Sequence, residues 1–271
     1  MSSNQEQIEY WNERAGETWA ELQDRLDALL APLSAAGLAA ANVRPSERVL
    51  DVGCGCGDTS IALSAMGANV LGVDVSGPML ARARSRDASI EYQQADAATT
   101  DFAHAFDLVF SRFGVMFFDD PTAAFKNLYN ALKPGGRLLF VCWQPPAVNP
   151  WMATAGRAIA PYLPPSDEAP NPRAPGPFAF ADAHYVEQIL QDAGFSNIQI
   201  KAHGASLKVA DTLAEAVQFQ TRVGPAARVM AELEGDQRAR ALAAVEDALR
   251  PFDGGSGLHL DSAVWLVSAE V

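Results

Sequence analysis

The chain is poor in cysteine, histidine and positive charge, and each shortage removes a class of function. Its 271 residues hold three cysteines, Cys54, Cys56 and Cys142. Three are too few for a disulfide framework. Cys54 and Cys56 stand one residue apart in a glycine turn, which suits neither a disulfide nor a zinc site. No metal centre is expected. There are four histidines, His104, His184, His203 and His259, none with a sequence neighbour that would mark a perturbed acidity. Lys and Arg number 20 against 33 Asp and Glu, for a net charge of −13. Such a surface repels phosphate backbones, so no nucleic-acid partner is expected. Arg82, Arg84 and Arg86 have the spacing of a solvated helix face. No run approaches the roughly 18 apolar residues of a membrane span, and the first residues, Met-Ser-Ser-Asn-Gln-Glu-Gln, form no basic and apolar leader. The expectation is a cytoplasmic protein, monomer or homodimer, with no membrane partner.

What is present is concentrated at residues 47–60. Val49-Leu50-Asp51-Val52 reads as a buried strand. Gly53, Gly55 and Gly57 follow at alternate positions, and Thr59-Ser60-Ile61-Ala62-Leu63 opens a helical pattern. Strand, glycine turn and helix begin a nucleotide-binding α/β unit. The glycines permit a tight turn and leave no side chain between the backbone and a ligand. A dinucleotide fingerprint fails here, because Asp58 or Ser60 stands where the last glycine belongs. Asp51 and Asp58 flank the turn, with no Lys or Arg inside it. Two carboxylates disfavour a pyrophosphate and favour a cationic ligand.

The following elements repeat the unit. Asn69–Asp74 reads as a strand with Asp74 at its C-terminal end, 21 residues after Gly53. In a doubly wound sheet that places a carboxylate where it can accept from both hydroxyls of a ribose. Ser76 is the better helix cap, which leaves Asp74 for a ligand. Met79 opens the helix that follows. Ile90–Ala97 is a third strand with a loop. Phe106–Ser111 is the fourth, followed by an apolar stretch from Arg112 to Phe118. Pro121–Leu132 reads as a helix, and Lys133-Pro134-Gly135-Gly136-Arg137 as a turn into strand Leu138–Cys142.

This series, Asp-x-Gly-x-Gly-x-Gly, then Asp74, then Phe-Asp-Leu-Val-Phe and Leu-Lys-Pro-Gly-Gly-Arg-Leu-Leu-Phe-Val, resembles class I S-adenosylmethionine (SAM) dependent methyltransferases over about residues 48–143. The layout looks closest to the small-molecule branch that includes ubiquinone/menaquinone-biosynthesis type enzymes (methyltransferase type 11/25 domains). The resemblance implies a Rossmann-like, doubly wound sheet of seven strands with the last antiparallel. It implies SAM as cofactor and S-adenosylhomocysteine (SAH) as product. The implied cofactor residues are Asp51, Gly53, Cys54, Gly55, Gly57, Thr59, Asp74, Val75, Met79, Asp96, Ala97, Ser111 and Arg112. Asp96 stands where the family often has an acid near the adenine amino group. Arg112 has three possible tasks: a cofactor carboxylate, a substrate acid, or neutralising Asp119 or Asp120.

The flanks are expected to make caps. Residues 4–31 read as helix, broken near Gly16, with Tyr10, Trp11 and Trp19 placed to cover the cofactor cleft. A further helix spans Leu33–Ala41. Residues 144–181 hold a proline-rich lid or substrate loop, in which Trp151–Tyr162 is helical. Asp182–Ala193 and Phe195–His203 complete the sheet. Three helices, Asp211–Arg222, Pro225–Leu233 and Asp236–Leu249, make a cap insert within 211–250, before a last strand at Ser262–Ala269. This divides the chain into an N-terminal lid (1–45), a cofactor core (46–143), the loop (144–181) and a C-terminal completion (182–271). The substrate pocket is expected to use Trp11, Trp19, Phe113, Met116, Phe117, Trp143, Trp151 and Phe178.

SAM is already activated, so transfer can proceed largely by positioning and desolvation. Tyr10, His184 and His203 are the candidate bases, and the catalytic residue is otherwise unknown. The acceptor is expected to be small and apolar or aromatic. Two alternatives stand beside this reading: an NAD(P)-dependent oxidoreductase on a similar sheet, and a SAM-binding protein that transfers no methyl group.

Overall fold

A computed structural model describes residues 4–162 and 171–271. Three helices come first: α1 (Gln5–Asn12), α2 (Arg14–Glu21) and α3 (Gln23–Ala41). The breaks fall at Glu13 and Leu22, not at Gly16, which lies inside α2. Gly16 is there for space: a Cβ on it would stand 2.6 Å from Ser76 Oγ. Likewise α3 runs through Pro32 rather than ending before it. Proline inside a helix forfeits a backbone bond, and burial of Leu26, Leu29, Leu30, Leu33 and Leu38 along one helix outweighs that loss.

The alternating βα elements are β1 (Arg48–Val52), α4 (Asp58–Ala65), β2 (Asn69–Asp74), α5 (Gly77–Arg86), β3 (Glu91–Gln94), β4 (Phe106–Arg112), α6 (Pro121–Ala131) and β5 (Leu132–Trp143). Strand β5 begins six residues before the expected Leu138, because Leu132 pairs with Phe106 and the register shifts before Leu108 meets Arg137. After α7 (Pro150–Ile159) come α8 (Ala183–Ala193), β6 (Ser196–Ala210), α9 (Leu213–Gln220), α10 (Gly224–Glu232), α11 (Gly235–Leu249) and β7 (Leu258–Glu270). Part of the expected 144–181 loop, residues 163–170, lies outside the described residues. Both β6 and β7 are longer than their apolar runs suggested.

The sheet order is β3-β2-β1-β4-β5-β7-β6. Strands β1 to β5 pair in parallel, and β7 runs antiparallel to β5 from Arg137–Glu270 to Trp143–Val264. This is the seven-stranded, doubly wound sheet the sequence implied. Its order reverses beside β1, which puts the crevice of the sheet at the C-terminal ends of β1 and β4. Leu38 and Ala41 of α3 join Val49, Leu63, Leu108, Phe110 and Leu139 in one buried cluster. Among the described residues no helix is long and apolar enough to cross a membrane.

The chain forms two compact units. The first comprises Met1–Trp143, Arg173–His203 and Val264–Val271; the second comprises Gln144–Pro172 and Gly204–Ala263. In the second unit α11 and α7 pack together, and Asn149 Nδ2 donates to the Ala263 carbonyl at 2.9 Å.

Candidate functional site

The glycine turn takes shape from its backbone. Gly53, Gly55 and Gly57 all have positive φ, at 66°, 54° and 84°, a region open to glycine at little cost. The turn is tied to the end of β2: the Gly53 and Cys54 N–H groups both donate to the Val73 carbonyl. A Cβ on Gly53 would stand 2.7 Å from Gly114 Cα, and one on Gly55 would stand 2.7 Å from Met79 Cε. The loop after β4 and the first turn of α5 therefore border the turn directly.

Two carboxylates anchor it. Asp51 is fully buried at the end of β1 and accepts from Thr59 Oγ1 at 2.8 Å and Ser60 Oγ at 2.6 Å, both on Oδ2. Its Oδ1 has no partner among the described residues. Burial raises this carboxyl to about 6, and the two hydroxyls hold it from rising further. Asp74 accepts from the Gly55 N–H on Oδ2 and from the Ser76 N–H on Oδ1, both at 2.8 Å. Burial pushes it up, and these N–H groups pull it back. Ser76 caps α5 by accepting from the Met79 N–H, as expected.

The third carboxylate has a different task. Asp58, at the start of α4, pairs with Arg112 at 2.8 Å and lies 3.8 Å from Arg86. Arg112 thus neutralises Asp58, not Asp119 or Asp120, and it also donates to Ser34 of α3. Arg86 pairs with Asp27 at 2.7 Å and donates to the Cys56 carbonyl at 2.9 Å. Arg84 donates to the Tyr92 carbonyl, and Arg82 meets Asp24. Arg82 and Arg84 are exposed on α5, as expected of a solvated face, while Arg86 is half-buried against α3 and the glycine turn. Sequence reasoning missed the links of Arg82 and Arg86 because their partners lie tens of residues away. The negative charge left at the turn belongs to Asp51 and Asp74.

The remaining expected cofactor residues border the same edge. Asp96 Oδ1 accepts from Asn4 Nδ2 and from the Ala98 N–H, while its buried Oδ2 has no partner among the described residues. Ala97 is buried, and its carbonyl accepts from Asn127. The Val75 carbonyl accepts from Asn12 and Gln94. Ser111 is buried, its hydroxyl has no partner among the described residues, and a Cβ on Gly114 would stand 3.1 Å from it. Cys54 and Cys56 are buried, and their thiols are pushed up by that burial, Cys56 to about 12.

Aromatic rings gather at the loop after β4. Trp11 meets Phe117 edge-to-face at 5.2 Å, Trp19 at 5.9 Å and Tyr10 at 5.3 Å. Phe113 stacks on Trp143 at 4.1 Å with parallel planes, and its φ of 63° is unusual for a bulky residue. Met116 is buried and its carbonyl accepts from the Gly176 N–H, which brings the half-buried Phe178 segment to this side. Trp151 is buried in the second unit. Of the candidate bases, Tyr10 is 45% exposed, His184 is exposed in the first turn of α8, and His203 is half-buried on β6.

Residues 50–140 match the family model described as a methyltransferase domain. This stretch is a methyltransferase domain. It runs from the middle of β1 to the middle of β5 and so contains the glycine turn, Asp74, Asp96 and the loop after β4. The chain is 40% identical over 141 residues to a malonyl-[acyl-carrier protein] O-methyltransferase of Enterobacter lignolyticus, covering 51% of this chain and 53% of that one. The chain spans about half the length of the curated relatives it matches. A putative methyltransferase from Bacillus halodurans shares the fold with a TM-score of 0.57 at 18% identity, covering 88% of this chain and 97% of that one. Phosphoethanolamine N-methyltransferase 2 of Haemonchus contortus, solved in complex with S-adenosyl-L-methionine, aligns with a TM-score of 0.53 at 21% identity, covering 88% and 52%. The matched stretch holds the crevice, and α1 to α3 precede it in the chain.

Proposed function

We propose that the chain is a SAM-dependent methyltransferase acting on a small, apolar or aromatic acceptor. The observation that carries this reading is the convergence of Asp74 on the glycine turn: its Oδ2 accepts from the Gly55 N–H at 2.8 Å. A carboxylate held there retains lone pairs for the two hydroxyls of a ribose. Gly53, Gly55 and Gly57 would let the methionine end approach the backbone. Met79 and Asp96 flank the adenine side. Asp51, with one oxygen unpartnered, favours the cationic end of the ligand through charge. These residues fit SAM and not a pyrophosphate, since the two guanidiniums beside the turn are engaged, Arg112 by Asp58 and Arg86 by Asp27 and the Cys56 carbonyl.

SAM, when bound, supplies a methyl group on a sulfonium that an acceptor can attack directly. The protein's part is to hold the acceptor in line and to exclude water, which together can supply roughly 7–11 kcal/mol of the barrier. Trp11, Trp19, Phe113, Met116, Phe117, Trp143 and Phe178 give the apolar surface for this, and the Asn4–Glu21 helices act as the cap. Tyr10, His184 and His203 carry no assigned proton transfer. Single exchange of each is expected to cost less than about 10²-fold in turnover, below the range of a general base.

The test is calorimetric titration with SAM, SAH, NAD and NADP on the wild type and on Asp74→Ala. Binding of the two sulfur ligands alone, weakened tenfold or more by the exchange, is the expected result. Binding of a nicotinamide nucleotide would overturn it. Transfer of a labelled methyl group to an acceptor separates a transferase from a protein that only binds SAM.

A further inference from the structure

Asn12, the last residue of α1, uses every hydrogen-bonding atom of its side chain. Its Nδ2 donates to the Val75 carbonyl at 2.8 Å and to the Ile8 carbonyl at 2.7 Å. Its Oδ1 accepts from the Gly77 N–H at 3.0 Å and from Gln94 Nε2 at 3.2 Å. The carboxamide grips residues 75 and 77 as a neighbouring strand would, and it satisfies an N–H in the first turn of α5 that no intrahelical carbonyl can reach. Beside it, Ser76 Oγ donates to the Trp11 carbonyl at 2.7 Å. The same Ser76 donates its N–H to Asp74. A continuous set of bonds therefore runs from Asp74 through Ser76 to the end of α1.

Gly16 makes this interlock possible, since a Cβ there would intrude on Ser76 Oγ. A second tie lies at Asn4, which donates to Asp96 and accepts from the Asp119 N–H. The cap is thus bonded to the segments after β2, β3 and β4. In contrast, α1 buries none of its residues. Its docking rests on a few polar bonds and the Trp11–Phe117 contact, each worth about 1 kcal/mol net. Such an element opens at low cost.

We propose that Asn12 is a positioning residue that fixes the Val75–Gly77 segment and so couples closure of the Asn4–Glu21 cap to occupancy of the cofactor crevice. The inference rests on the function proposed above. Ligand at Asp74 steadies Ser76, Ser76 and Asn12 hold the cap, and the closed cap retards ligand escape. The coupling is reciprocal, as any linkage must be.

The experiment combines hydrogen exchange with SAH binding on the whole protein, wild type, Asn12→Ala, Asn12→Asp and Gly16→Ala. In the wild type, SAH is expected to protect the amides of residues 5–21. In Asn12→Ala that protection is lost and the Kd for SAH rises about tenfold, chiefly through faster release in stopped flow. Asn12→Asp keeps the acceptor and loses the donor, so its effect is intermediate. Gly16→Ala wedges the same interface and is expected to match Asn12→Ala. Without ligand, Asn12→Ala should leave exchange at the amides of β1, β2, β4 and β5 as in the wild type, which general loosening of the fold would not allow. Wild-type binding of SAH that all three variants leave within twofold overturns the coupling alone. Failure of the wild type to bind SAH overturns the reading of the crevice, and the coupling with it.

Discussion

Asp51 shows how one buried side chain can set opposite demands on stability and binding. Its carboxyl lies at about 6 in the folded chain, against about 3.9 when exposed. Between those values the folded state holds the proton that the unfolded state has lost. Stability from this group therefore falls as pH rises from about 4 to about 6 and stays lower above, by about 3 kcal/mol. The charged form is the one that favours a cationic ligand. Asp51→Asn is expected to raise the melting temperature at pH 7.5 and to weaken SAH several-fold. Wild-type affinity for SAH should decline below pH 6, and that of the variant should be flat. A lower melting temperature with unchanged affinity would contradict both expectations. At this scale much of the crevice was legible in the sequence. The strand-turn-helix pattern exposed the glycines, and spacing exposed Asp74 and the Ser76 cap. For Arg112 the sequence pointed to Asp119 or Asp120 as the acid to be neutralised, because Asp58 and Ser34 reach it only through the fold. Asn12 left no signal at all, since an asparagine at a helix end is ordinary until its four partners are seen.

At the scale of elements, α3 is fastened to the cofactor turn by charge as well as by burial. The Asp27 carboxylate is raised chiefly by burial and next by the nearby Asp58, with Arg86 pulling it down. Arg86 answers both acids and holds the Cys56 carbonyl. Removing it leaves two partly buried carboxylates facing each other. Arg86→Met is expected to cost about 2 kcal/mol, seen as a fall of roughly 4–8 °C in melting temperature. Adding Asp27→Leu should recover part of the loss, because Asp58 keeps Arg112 and Asp27 is the charge left stranded. A melting temperature unchanged by the first substitution would show that the chain of ion pairs contributes nothing. The sequence pattern located nearly every element but misplaced ends. Pro32 suggested a break that core burial overrode, and the Pro-Gly-Gly of 134–136 suggested a loop where pairing with β4 extends β5. Local propensity marks where an element can stop, whereas its neighbours decide whether it does.

At the scale of the whole molecule, the first unit is assembled from three separate stretches, and the second is made between them in the chain. The methyltransferase domain match ends inside β5, yet β5 gains its other neighbour only from β7, seven ladder pairs from Arg137–Glu270 to Trp143–Val264. A chain cut after Trp143 keeps every glycine and carboxylate of the crevice and lacks that strand. It is expected to elute as oligomers or aggregate on gel filtration, because an apolar strand edge is left open. A monodisperse, SAH-binding fragment would contradict this. The same path has a consequence on the ribosome. Strand β7 is translated after all the others, and at about 5–20 residues per second its arrival trails that of β5 by roughly 6–25 seconds. Throughout that interval the nascent chain carries a naked β-edge, and on a crowded polysome the nearest complementary strand belongs to a sibling.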